Sequence, residues 1–410
     1  MSRKLLEGIK VVELATFIAA GTTGRFLSDM GADVIKIEAA NGDPVRYTAP
    51  AEGRPLDLAE NPTWELENSG KRGLSVDTRK PEGKEILFKL LDSADIFLTN
   101  WREQALAKNG LDYESLKKRY PSLVYGIVTG YGQVGPDKDL PGFDFTAFFA
   151  RGGYLDMLRQ ADGRPMNVLP GTGDHNVGMN LAAGILAALY HAKMTGEGEK
   201  VESSLFETAV FNLAMPIQAS QYPETCPNWP VNARDGASPL NNAFLTKDNR
   251  YIMLCFPNYG TYYNKLVGDV FGRADLVNNE RYYPVENLAK NGTGREMYDI
   301  ACAEFMKKDF AEFDALLKAA DIPFGLAQNG REILQDAQAW ANGSLCEFTY
   351  PSGMKRTLVR QPVRFQELGP IEYKFGPKIG EHSREILQEY GYTQEQIDAL
   401  YSSKVIYTQK

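Results

Sequence analysis

The chain has 410 residues, 43% hydrophobic and 24% charged, which is the composition of a soluble globular protein with one large core or two domains. A net charge of −8 and an isoelectric point near 5.2 argue against nucleic acid or a membrane surface as the main partner. Four scattered cysteines without a CxxC pair, and only three histidines (His175, His191, His382), fit neither a disulfide framework nor a multi-histidine metal centre. They suit a reduced, cytoplasmic compartment.

In chain order, the apolar run behind Arg3-Lys4 is broken by Glu7 and Lys10, so it does not read as a signal peptide. Ile9–Leu14 reads as a strand, Thr22–Met30 as a helix stopped by Gly31, and Val34–Ile37 as a second strand. Leu74–Val76 is a third strand, followed by a helix over Pro81–Leu91 with proline in its first turn. Ile96–Leu98 and Leu123–Val128 are the fourth and fifth strands, and Lys200–Phe206 is strand-like. Short apolar strands spaced by helices predict an α/β fold, a doubly wound, Rossmann-like large domain over 1–220. Prolines and glycine at Pro223, Pro227, Pro230, Gly236 and Pro239 mark a linker over 221–240. A smaller α+β domain is expected over 241–345, opening with a hairpin of Asn242–Leu245 and Tyr251–Cys255 and continuing in helices at Tyr262–Val270, Arg295–Lys307 and Phe310–Ala320. Residues 346–410 are expected to return to the large domain, with an extended passage at Leu358–Phe365 and helices at Ser383–Tyr390 and Thr393–Tyr401.

The most informative stretch is Pro170-Gly171-Thr172-Gly173-Asp174-His175-Asn176, ahead of an apolar run with Leu181, Ile185, Leu186 and Leu189 at helical spacing. Asp174 falls at or just before a helix N-terminus, where the dipole and free N–H groups favour its ionised form. Gly171, Gly173 and Gly178 leave room for a substrate against the backbone. Such a carboxylate serves either as a nucleophile or as a helix cap.

Other clusters are weaker. Gly21 and Gly24 after strand one, with Glu38 ending strand two, partly match a dinucleotide fingerprint, but Ala19 stands at its first glycine. Lys71, Arg72, Arg79, Arg102 and Lys108 lie at strand ends or in nearby loops and suit an extended polyphosphate, or else form a solvated rim. Gly130–Pro136 and Pro141–Asp144 form a glycine-rich loop that either covers a ligand or is a plain turn.

Taken together these segments resemble the class III CoA-transferases, the formyl-CoA transferase and carnitine CoA-transferase family. The resemblance is carried by Leu6–Leu14, Gly31–Glu38, Lys71–Leu74, Pro81–Lys84, Ala94–Ile96, Gly130–Gly132, Gly173-Asp174 and Asp321–Pro323. Ala15–Ala20, Gly42–Pro50, Leu98–Arg102, Asp137–Asp144 and Gln338–Asn342 point within it to the clostridial aryllactate and 2-hydroxyisocaproate branch. The resemblance implies Asp174 as nucleophile and Asp144 as an auxiliary acidic group near the reacting centre. It assigns CoA binding to Phe17, Ile18 and Ala19, to Val76, Asp77, Thr78 and Arg79, to Asn100, Trp101, Arg102 and Lys108, and to Gly142 and Phe143. Ala19 replaces a glutamine of the formyl branch, and Pro257–Thr261 stands where that branch has a run of glycines.

The implied reaction moves CoA from a 2-enoyl-CoA or related acyl-CoA to an (R)-2-hydroxy acid in amino-acid fermentation. It passes through an aspartyl anhydride and an aspartyl-CoA thioester, with backbone N–H groups of the glycine turns holding each oxyanion. Phe17, Ile18, Phe143, Phe145, Phe148 and Phe149 are candidates for an apolar acyl pocket, or for core. The resemblance implies no tightly bound cofactor and no metal, an interlocked homodimer, and association with a 2-hydroxyacyl-CoA dehydratase as a further partner. The alternatives are an acyl-CoA racemase using His175 beside Asp174, an NAD-dependent oxidoreductase, and a CoA- or nucleotide-binding regulatory protein.

Overall fold

The computed structural model describes residues 4–226, 229–236, 238–367, 369, 371 and 373–409. Pro227 of the expected linker, Arg3 near the start, and residues 368, 370 and 372 of the expected return segment lie outside that set.

Six strands carry the large unit: β1 (Lys10–Leu14), β2 (Asp33–Glu38), β3 (Arg72–Val76), β4 (Ile96–Thr99), β5 (Val124–Thr129) and β6 (Lys200–Ser204). All six pair in parallel in the order 3-2-1-4-5-6, and Ile406–Tyr407 adds an antiparallel edge beside β3. The β1/β4 seam is where the winding reverses, and ligands of such sheets collect there, beyond the carboxyl ends of the strands.

The strands are apolar because both faces are covered. On one face Val12, Ile35, Leu74, Phe97 and Tyr125 pack with the helix Pro81–Leu91. On the other Val11, Val34, Leu98 and Val128 meet α1 (Ala19–Asp29) and the long helix Thr172–Thr195. The last of these predicted strands is shorter than its expected range. Ser204 caps the Glu207 N–H, and the chain turns helical at Leu205.

The chain divides into two compact units. The first comprises 1–154, 167–213 and 336–410, and the second 155–166 and 214–335. The second contains a three-stranded antiparallel sheet, β7 (Ala243–Leu245), β8 (Tyr251–Leu254) and β9 (Phe324–Leu326), over the helices Gly294–Phe305 and Phe310–Ala319. The passage expected at Leu358–Phe365 belongs in part to a hairpin of β10 (Leu345–Thr349) and β11 (Lys355–Val359). Among the described residues no helix is long and apolar enough to cross a membrane.

Candidate active site

The long helix begins at Thr172, and its N-cap is Gly171 at φ +88°, a backbone conformation that disfavours a side chain. Asp174 is the third helical residue and makes no capping bond, so the cap reading of this carboxylate does not hold. The turn is held by Asp144 instead. Its Oδ2 accepts the Gly171 N–H at 2.8 Å, and its Oδ1 accepts the Gly173 N–H at 2.9 Å. Asp144 opens a π-helical turn, Asp144–Arg151, whose start is fixed by the Phe143 N–H donating to Thr146 Oγ1 at 3.0 Å.

The glycines make room for protein rather than for a ligand. A Cβ on Gly173 would lie 2.3 Å from Phe148 Cγ, and one on Gly178 would lie 2.6 Å from the Ala19 carbonyl. Because Asp144 occupies the N–H groups of Gly171 and Gly173, these donors are not open to a substrate oxyanion, contrary to the expectation for this turn.

Half-buried Asp174 also differs from its expected electrostatics. Burial, with the like charges of Asp144 and Glu67, raises its pKa from 3.8 to about 7, against the opposing pull of His175. The helix start does not outweigh its burial and the charges of two neighbouring carboxylates. Beside it, His175 Nε2 lies 2.8 Å from Glu67 Oε1, and Glu67 Oε2 accepts the Thr22 hydroxyl at 2.9 Å. Glu67 sits on the helix Pro62–Asn68, which went unread in the sequence, although Asn61-Pro62 is a start signal and the Asn61 side chain does cap the Trp64 N–H.

Behind the site runs a buried chain of charges. Lys36 Nζ contacts Glu13 at 2.9 Å and Asp43 at 2.8 Å, and Lys71 Nζ contacts the other Glu13 oxygen at 2.8 Å. Two ammoniums balance two carboxylates. Lys71 therefore does not serve a phosphate. Arg72 does not either, since it starts β3 at the end away from the carboxyl edge and pairs with Asp33 and Glu389. Gly24 belongs to the same network: a Cβ there would fall 1.9 Å from Glu13 Oε2. The partial dinucleotide fingerprint thus reflects packing, and Glu38 is engaged by Arg46 through two bonds of 2.8 Å. Asp43 Oδ1 accepts the Phe17 N–H at 3.0 Å and so seats Phe17 in its left-handed conformation, φ +61°.

A cavity of about 430 Å³ opens at the carboxyl ends of β1 to β4. Val76, Asp77, Thr78, Arg79 and Trp101 line it, together with Thr16 and Tyr407. Arg79 is 90% exposed at its rim, held by Asp77 at 2.8 Å. Asn100 does not line it. Its amide is spent on the Thr16 backbone, accepting its N–H at 3.1 Å and donating to its carbonyl at 2.6 Å. Arg102 and Lys108 are exposed at the N-cap and last turn of Glu103–Asn109, also outside the cavity lining. Phe17 and Phe143 meet edge to face at 6.0 Å, both partly exposed. Ile18 is the N-cap residue of α1, where Ala19 is the first helical residue, and its Cδ1 lies 3.8 Å from the Cβ position of Gly171. Gly142 packs on Gly130, closing the glycine-rich loop on itself, while Phe148 is core.

The sequence model of CoA-transferase family III matches residues 6–383. The chain belongs to that family. It is 48% identical over 406 residues to the cinnamoyl-CoA:phenyllactate CoA-transferase of Clostridium sporogenes, covering 99% of this chain and 98% of that one. It is 41% identical to the (R)-2-hydroxy-4-methylpentanoate CoA-transferase of Clostridioides difficile, covering 98% and 99%. Among solved structures it superposes on a CAIB/BAIF family protein from Brucella suis with a TM-score of 0.77 at 27% identity, covering 94% and 99%. The chain is thus a CoA-transferase, an enzyme whose substrates are CoA thioesters, and the nicotinamide oxidoreductase and non-catalytic readings fall away. In this family III enzyme, five of the thirteen residues assigned to CoA from the resemblance gather on one cavity at the sheet's switch point.

Proposed function

We propose that the enzyme transfers CoA from a 2-enoyl-CoA to an (R)-2-hydroxy acid with a branched or aromatic side chain, through covalent intermediates on Asp174. The observation that carries this is an Asp174 carboxyl that engages no hydrogen bond among the described residues, on a turn clamped by Asp144, in a chain so similar to two 2-hydroxy-acid CoA-transferases.

The ionised Asp174 attacks the thioester carbonyl, and collapse of the adduct expels CoA thiolate and leaves an acyl-aspartyl anhydride. The thiolate returns to the aspartyl carbonyl and releases the donor acid, giving an aspartyl-CoA thioester. The acceptor acid then runs the sequence in reverse. The nucleotide end of CoA occupies the cavity beside Asp77, Thr78 and Trp101, with Arg79 at its rim on a phosphate. Phe17 and Phe143 border the acyl site and keep water from the anhydride, in place of the absent glycine run.

A second copy of the chain completes the enzyme. Tyr190 and Met194 on the long helix and Phe211 on the next are 71%, 69% and 78% exposed, an apolar surface suited to a partner chain. Cytoplasmic amino-acid fermentation, with a 2-hydroxyacyl-CoA dehydratase downstream, is the setting that fits these substrates.

The test offers the purified enzyme a panel of (R)-2-hydroxy acids with cinnamoyl-CoA and other 2-enoyl-CoA donors, with new thioesters read by mass spectrometry. Hydroxylamine under turnover should convert Asp174 to a hydroxamate. An unchanged Asp174 peptide during active turnover would refute the covalent route. Solvent deuterium entering C2 of an acyl-CoA without thioester exchange would instead indicate a racemase.

A further inference from the structure

The clamp on the nucleophile turn leaves a gap in the chemistry. Attack by Asp174 places negative charge on the former carbonyl oxygen, yet the N–H groups of Gly171 and Gly173, which flank Thr172, already donate to Asp144. A donor is needed from the same turn. His175, the residue after the nucleophile, carries a side-chain donor that the structure holds in place. Its Nε2 is fixed by Glu67 at 2.8 Å, and Glu67 is itself buried and anchored by Thr22. No hydrogen bond engages its Nδ1 among the described residues. The imidazole packs along the turn, with Cε1 and Nδ1 at 3.4 and 3.7 Å from the Cβ position of Gly171, and its side chain is 38% exposed.

Resting on the acylation of Asp174 set out above, we propose that His175, held as an imidazolium by Glu67, donates its Nδ1–H to the oxyanion formed when Asp174 attacks the thioester. A bond forms between an Asp174 oxygen and the carbonyl carbon as the carbonyl π pair moves onto oxygen. That oxygen accepts the Nδ1 hydrogen bond. Collapse returns the pair, and the C–S bond breaks with its electrons leaving on CoA thiolate. His175 keeps its proton throughout, so the same contact serves each later addition. Glu67 is the positioning residue.

The groups facing His175 agree with this charge state. They are Glu67 from the helix Pro62–Asn68, Asp174 on its own helix and Asp144 from the π turn, while Lys71 interacts with Glu67. Burial works against the imidazolium, but the Glu67 bond and the three carboxylates outweigh it, and the pKa of His175 is raised.

The experiment measures transfer from cinnamoyl-CoA to (R)-phenyllactate by the intact enzyme. His175→Ala should keep its fold and CoA affinity while kcat falls about 100- to 1000-fold, the usual loss for one oxyanion donor. His175→Asn, whose amide puts an N–H near the Nδ1 position, should recover at least about tenfold of that loss, by the same donor logic. Glu67→Gln keeps the bond but removes the charge, so the alkaline limb of kcat should move to lower pH. Transfer by a folded His175→Ala within about threefold of the parent, well short of the loss for one donor, or equal loss in the Ala and Asn variants, would overturn the proposal. Where His175→Ala does not fold, an unmoved alkaline limb in Glu67→Gln overturns it. Asp174→Asn separates the two ideas. Persistent transfer in that variant refutes the nucleophile itself, whereas its loss beside an active His175→Ala refutes only the donor.

Discussion

Asp144 and Gly173 are fitted to each other. The carboxylate Oδ1 accepts the Gly173 N–H at 2.9 Å, and the same oxygen would sit 2.4 Å from any Cβ at that position. Phe148, one helical turn beyond Asp144, closes the other side at 2.3 Å. Gly173→Ala should therefore push the start of the long helix off its clamp. Overpacking of this kind costs about 1–3 kcal/mol. The expected result is a lowered unfolding temperature and a loss of transfer larger than the stability change explains, because Asp174 is the next residue. Full activity in that variant would show that the turn tolerates displacement.

Replacing Asp144 with Asn tests the clamp electrically. One amide oxygen can still accept one N–H, while the NH2 group faces the other, a loss of about 2–3 kcal/mol for a charge-assisted bond left unmade. The variant also removes a like charge from beside Asp174, whose pKa burial, Asp144 and Glu67 together raise to about 7. The acid limb of kcat/KM should thus move to lower pH even as the protein becomes less stable. A limb that stays in place would mean that burial and Glu67 set it without Asp144.

The sheet was legible because its strands are short apolar runs, and their parallel order follows from the helices between them. Pro81 marked its helix start, and the observed Pro81–Leu91 agrees with the reading residue for residue. The site was less legible. Lys71 reads as a surface cation but is fully enclosed by Glu13 and the Gly21 carbonyl, which only the tertiary fold brings to it. Asn100 looks like a loop amide open to ligand, yet it spends both polar atoms on Thr16. Glu67 lies 108 positions from His175, and no local pattern announces a pair at that separation. The raised pKa of Asp174 was hidden for the same reason, since two of the charges that raise it arrive from distant segments.

Lys36 gives a test of the buried charge chain. Its side chain is wholly buried between Glu13 and Asp43, and these contacts outweigh the desolvation that would lower its pKa, which is raised. Lys36→Met removes one ammonium, leaving Glu13 with Lys71 alone and taking from Asp43 the ammonium it pairs with. Breaking such a pair costs about 3–5 kcal/mol. The orphaned carboxylates should then bind protons more readily when folded, so the deficit grows from pH 5 to pH 8. Urea unfolding at both values measures it. Asp43 also seats the Phe17 N–H, so acyl-CoA affinity should fall alongside.

Asp174 itself should weaken the fold at the pH where it works. Its ordinary value of 3.8 rises to about 7 in the folded protein, chiefly through burial. The folded state therefore binds the proton more tightly than the unfolded chain. Below 3.8 both states are protonated and nothing is lost. As pH climbs from there to about 7, the unfolded chain releases its proton first and stability falls, then levels off. The shift sets an upper bound of about 4 kcal/mol at 1.36 per pH unit, and the partial exposure of the carboxyl trims this to about 1–2 kcal/mol. Asp174→Asn has no proton to lose. Its unfolding temperature should match the parent near pH 4 and exceed it by a few degrees at pH 8, while transfer is abolished. A variant less stable than the parent at pH 8 would show that the ionised carboxylate is held by favourable contacts, and that its reactivity does not come from being crowded by Asp144 and Glu67.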